Sequence, residues 1–170
     1  MTEFEKLRHD AEKYKHLYPT GTRIVLEKMH DKYPVPTGTM GTVRNIDVAS
    51  NIDIAWDNGR TLSLCPQVDE FHYLTTDEQR FDDEIIAFAN NAAMAVRTFK
   101  DSVTYDMPDG QHKLHVHLGN FVGTTIPAYI IDAIPTKWYR PALYKNADDL
   151  LREIRYLISN YLPISARQFA

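Results

Sequence analysis

The chain of 170 residues, 44% hydrophobic and 25% charged, is long enough for one sizeable core or two small ones. Its net charge of −4 is spread evenly: either side of Thr75 carries two more acidic than basic residues, so neither half is a basic module built for phosphates. The single Cys65 excludes an intrachain disulfide, and no apolar run approaches the roughly 18 residues of a membrane span.

Residues 3–18 place Phe4, Leu7, Ala11, Tyr14 and Tyr18 at three- and four-residue spacings, one apolar stripe on a charged helix. The same stretch lacks the apolar region of a secretory signal, so a cytoplasmic location is expected. "YPTG" ends the helix, because Pro19 disfavours helix at Tyr18 and Gly21 permits a reversal. From Thr22 to Leu74 the apolar period becomes two. "TRIVLEKM", "TVRNIDV", "NIDIAW", "RTLSL" and "FHYL" read as five short strands. "HDKYPVPTGTMG" between the first two is a stiffened loop. "DNG" predicts a hairpin, since both central residues of a type I′ turn need positive φ. Five strongly bent strands in about fifty residues imply a small SH3-like barrel.

In the second half, Thr76 with Gln79 three residues on predicts a capping box. Phe81, Ile85, Phe88, Ala92, Val96 and Phe99 then form the apolar face of a long helix. "DSVTYDMPDGQHKLHVHLGN" predicts a hairpin, and "FVGTTIPAYIIDAIP" a third strand or a buried helix. Asn146 caps a last helix lined by Leu150, Ile154, Leu157 and Tyr161. The expected fold is α+β, with an N-terminal helix (1–20), the SH3-like barrel (21–75) and, packed with it, a helix, hairpin or three strands, and helix (76–170).

"YPTGTRIVLEKMHDKYPVPTGTMGTVRNID" and "IDIAWDNGRTLSLCPQVDEFHYL" together resemble an uncharacterised small domain common in proteins of bacterial mobile elements. The shared frame is a strand, a P-V-P-x-G-x-x-G-x-V loop and strand, then W-D-N-G-R-x-L, over residues 18–74. The resemblance implies an SH3-like barrel and a setting of plasmids, phages and conjugative elements. It implies no activity.

Candidate chemistry is sparse. In "HKLHVH", His115 and His117 would share one strand face, a spacing able to hold an ion, while His112 would fall on the other. Without third and fourth ligands in view, the segment reads as a polar strand face. Cys65 and His72 could be imagined as a nucleophile and base, but no cation or helix N-terminus lowers the thiol pKa. "DEQRFDDE" (Asp77, Glu78, Asp82, Asp83, Glu84) suits a solvated helix start. Arg44, Arg60, Arg97, Lys100, Lys113, Lys137 and Arg140 are scattered, and the last helix lacks the lysine cluster of the double-stranded-RNA-binding fold whose element order it shares.

"PTKWYRPALYKN" gathers Trp138, Tyr139, Arg140 and Tyr144 in a proline-flanked loop, and these are residue types that dominate interface hot spots. The sequence therefore leads to a non-enzymatic binding protein, with no catalytic residue, metal or cofactor expected; an enzyme with a His-based metal site in the second half is the remaining possibility. Its expected contact residues are Tyr33, Arg44, Asp57, Asn58, Arg60, Trp138, Tyr139 and Arg140. The expected partner is a protein or nucleoprotein and not a membrane. In the mobile-element setting, a host defence nuclease such as a CRISPR effector is the concrete case, because an anionic protein can occupy a basic channel. The alternative is a nucleic-acid-binding accessory module for element replication or transfer, using Arg44 and Arg60.

Overall fold

Thr2 opens the first helix, α1 (Glu3–Leu17), with a reciprocal cap: its hydroxyl accepts from the Glu5 amide, and its own amide donates to the Glu5 carboxylate. The structure, a computed structural model, describes residues 1–121, 123–135, 138–142 and 146–167, the side chains of 138–142 and 164–165 excepted. The chain divides into two units, Met1–Thr75 and Thr76–Ala170. Among the described residues, no helix is long and apolar enough to cross a membrane.

In the first unit, the stripe of α1 buries Ala11 and lays Tyr14 and Tyr18 against the core of a four-stranded antiparallel sheet. Its strands are β1 (Arg23–Lys28), β2 (Met40–Ile46), β3 (Ile52–Trp56) and β4 (Glu70–Tyr73), in the order β3-β2-β1-β4. Ile24, Leu26, Val43, Ile54, Trp56 and Leu64 fill the interior. Gly41 is required by close approach, because a Cβ there would sit 2.4 Å from Ile54 Cγ2 and 2.9 Å from Trp56 Cε3.

Two expectations for this unit need correction. The sheet does not close into a barrel among the described residues: β3 and β4 stand at opposite edges, and "RTLSL" adds only the bridge from Leu64 to Ile52. The Leu62 carbonyl accepts from the Trp56 indole N–H (2.7 Å). Just beyond Leu64, the Asp69 carboxylate takes the Cys65 and His30 amides (both 2.8 Å) in a turn that leads away from the bridge. The "DNG" turn is also not type I′. Gly59, at φ +84°, donates its amide to the Trp56 carbonyl, and among the described non-glycine residues only Ser50 and Lys100 have positive φ. Asn58 uses its side chain instead, accepting from the Arg60 amide (3.0 Å).

The second unit opens with α2 (Thr76–Phe99) and ends with α3 (Ala147–Tyr161), capped by Asn146 as expected, and a short 3₁₀ turn (Ile164–Arg167). Thr76 already lies within α2, and Gln79 reaches forward to Asp83 (2.9 Å), so that pair is not the expected capping box. Between the helices run β5 (Val103–Asp106), β6 (Lys113–Asn120), β7 (Pro127–Ile134) and β8 (Trp138–Ala142), a second antiparallel sheet in sequential order. The aromatic segment expected as a loop is thus the edge strand β8. Pro141 is compatible with that place because an edge strand leaves one side of its backbone unpaired.

Strand alternation divides this sheet. Leu114, Val116, Ile131 and Ala133 join Ile85, Phe88 and Val96 of α2 and Leu150, Ile154 and Leu157 of α3 in one core. The acidic start of α2 is not wholly solvated, which corrects the sequence reading. Asp82 is only 3% exposed and receives Arg155 Nη2 at 2.9 and 3.0 Å. Helix periodicity puts Asp82 beside Phe81 on the inward side, where its charge is matched from α3.

Candidate functional site

The loop after β1 is built to hold one shape. Val35, only 2% exposed, plugs it into the core and gives its amide to Met29 Sδ. Thr37 and Gly38 bond the carbonyls of Glu27 and Leu26, and Thr39 bonds that of Pro36. At its crest the Tyr33 side chain is 68% exposed, its amide held by Asp31 (2.8 Å) and its ring 5.2 Å from Lys32 Nζ.

The hairpin tip grips this loop. Arg60 Nη2 donates to the Tyr33 carbonyl (2.5 Å) and Nη1 to that of Pro34 (3.3 Å). Behind it, Asp57 forms a two-pronged pair with Arg23, at 2.7 and 2.8 Å, with both side chains about 10% exposed. Of the expected contact residues, the fold brings Tyr33 and Arg60 together at one surface. Asp57 and Asn58 serve the hairpin itself. Arg44 is exposed on β2, its carbonyl bonded by Thr20 (2.8 Å). Trp138, Tyr139 and Arg140 lie on β8, with side chains outside the described residues, as are Lys137 and Tyr144 altogether.

An open cleft of about 270 Å³ beside α1 is lined by Lys6, Asp10, Asn51, Cys65 and Gln67, among others. The Cys65 thiol donates to Gln67 (3.1 Å), while the His72 ring meets Glu27 (3.1 Å). Neither contact is the nucleophile–base arrangement imagined for this pair.

On the second sheet, His115 and His117 project from the face opposite the core, as strand alternation requires. Register places Asp132 of β7 directly across from His115. One carboxylate oxygen, Asp132 Oδ2, lies 3.4 Å from His115 Nδ1 and 3.1 Å from His117 Nε2. The two rings stack at 28°, with centroids 5.0 Å apart. These three residues could hold a metal ion, their ligand atoms all lying within 4.8 Å of one another. His112 stays out of the group. It sits in the preceding turn, where its amide and ring both meet Asp109. That amide, seconded by Gln111, holds the Asp109 carboxyl down at about 2. Elsewhere in the unit, burial raises the Tyr105 hydroxyl far above the usual phenol range, and its bond to Glu84 (2.7 Å) adds to the effect.

Sequence reasoning passed over Asp132. The available signal was a lone acid inside the apolar run "AYIIDAI", which on a strand must face away from the core.

The first unit is therefore an α+β domain that presents a clamped loop pair. Residues 8–74 match the family model described as a domain of unknown function (DUF4314). That match takes in two thirds of α1, where the resemblance in the sequence begins at residue 18. No curated protein and no solved structure matches the chain.

Proposed function

We propose that this is a non-enzymatic binding protein that engages a macromolecular partner through the Tyr33–Pro36 loop and the "DNGR" tip. One observation carries the reading: Arg60 ties the carbonyls of Tyr33 and Pro34 to the hairpin, so an exposed aromatic side chain stands on a backbone that is already ordered. Preorganisation of this kind reduces what binding costs, and a rigid tyrosine is a good anchor. The strand order, with the extra bridge at Leu64, supports taking the sheet as an SH3-like barrel left open, a scaffold on which loops carry recognition. The likeness to a mobile-element domain and the net charge of −4 favour a host defence nuclease, such as an RNA-guided CRISPR effector, as the partner whose basic channel is blocked. Trp138, Tyr139 and Arg140, which the backbone places on the edge strand β8, are proposed as further contact residues for the same partner. Arg60 already donates to two carbonyls, which weakens the alternative of direct phosphate binding through Arg44 and Arg60.

The test uses wild type and Tyr33→Ala as paired baits, followed by a cleavage assay on any nuclease retained. A nuclease held by wild type alone, and slowed at least roughly tenfold by it, is the expected result. A gel shift of naked duplex that falls steeply with salt and ignores Tyr33→Ala would favour the nucleic-acid module instead.

A further inference from the structure

The outer face of the second sheet holds a grouping that loop recognition does not use. We propose that His115, His117 and Asp132 bind a divalent first-row transition-metal ion of the Zn²⁺ type, with water completing the coordination. This assignment is independent of the binding surface on the first unit.

Ligand spacing is the first argument. A tetrahedral ion with bonds of about 2.0–2.1 Å to nitrogen and oxygen holds its ligand atoms roughly 3.3–3.4 Å apart. Two of the three ligand–ligand edges here, at 3.4 and 3.1 Å, are close to that. As a hydrogen bond, by contrast, the 3.4 Å contact is long. The backbone sets these distances: His115 and His117 are two apart on β6, and Asp132 lies opposite one and diagonal to the other.

Proton placement is the second argument. His117 Nδ1 lies 3.3 Å from the Leu118 carbonyl, a partner that can only accept. A neutral imidazole donating there carries its lone pair on Nε2, the atom that faces Asp132 Oδ2 at 3.1 Å. Two acceptors at that distance repel unless a proton or a cation lies between them. A backbone carbonyl fixing the far nitrogen is also how metal-bound imidazoles are commonly oriented.

The donor set selects the ion. Two imidazoles and one carboxylate suit Zn²⁺ and its first-row neighbours, whereas Mg²⁺ and Ca²⁺ prefer oxygen alone. The side chains are about 27%, 33% and 30% exposed, so water can reach the remaining positions.

The test is calorimetric titration of the full chain, freed of metal by chelator, with Zn²⁺ and separately with Mg²⁺. One equivalent of Zn²⁺ should bind, with Mg²⁺ silent. Asp132→Asn and His117→Gln should each weaken binding at least tenfold, while His112→Gln leaves it unchanged. Imidazole ¹⁵N spectra of wild type check the assignment without any substitution: Zn²⁺ should move the ring nitrogens of His115 and His117 and spare the other five histidines. Absence of saturable binding, ring shifts at other histidines, or affinity undiminished in both ligand variants would each overturn the proposal.

Discussion

In the first unit, charged side chains mostly hold backbone: Arg60 grips two loop carbonyls and Asp69 takes two amides, with the Arg23–Asp57 pair that moors the hairpin as the exception. In the second unit, charged and ionisable groups meet one another. Asp82 and Arg155 pair beneath the surface, and His115, His117 and Asp132 converge on the outer sheet face. The difference comes from architecture. Long proline-bearing loops leave many backbone groups needing partners, so side chains are recruited to them. Regular strands and helices satisfy their own backbone and leave polar side chains to find each other, either across a register or between helices.

The strongest way to break this contrast is to remove Arg155. Arg155→Ala takes the guanidinium from the nearly buried Asp82 charge and should cost about 3–5 kcal/mol, read by urea unfolding followed with far-UV circular dichroism. Joint replacement by Asp82→Leu and Arg155→Leu should recover most of that loss, since the buried carboxylate is then removed together with its guanidinium. A single substitution without effect would mean that the pair is not what joins α2 and α3.

Packing in the first unit is probed by Gly41→Ala, whose new methyl meets Ile54 and Trp56 and should cost roughly 1–3 kcal/mol. Thermal unfolding measures it, and Trp56 fluorescence should change with it. Smaller still is Arg60→Ala, expected to cost about 1 kcal/mol because its bonds lie at the surface. Its larger signature is local: amide exchange at Tyr33 and Val35 should quicken. Unchanged protection there would show that loop and hairpin are separate, and would take away the basis for a preorganised surface.

The mildest test is acid titration of Asp109. Its carboxyl is depressed to about 2 by the His112 and Gln111 amides, so the turn's stabilisation is complete above the ordinary aspartate range. As pH falls from about 4 through 2, that contribution is lost. Carboxyl ¹³C shifts should place the midpoint near 2, and Asp109→Asn should remove the transition.

Much of this fold could be read locally. Apolar spacing in α1, α2 and α3, strand alternation in β1 to β6, and the Asn146 cap need only neighbours within one or two turns or strands, whereas the apolar run of β7 fitted a strand or a buried helix equally. The fixed shape of the loop after β1 was also legible in part, since prolines around Tyr33 announce a stiffened segment by themselves. Tertiary structure alone decided the rest. Arg60 meets the carbonyl of Tyr33 27 positions away, Arg155 meets Asp82 across 73, and Asp132 reaches His117 across 15. It also made β8 a strand, left the first sheet open and withdrew Asp82 from water. The reason is physical: periodicity tells which face a side chain occupies, whereas its partner depends on strand register and helix packing, which are set by the whole core.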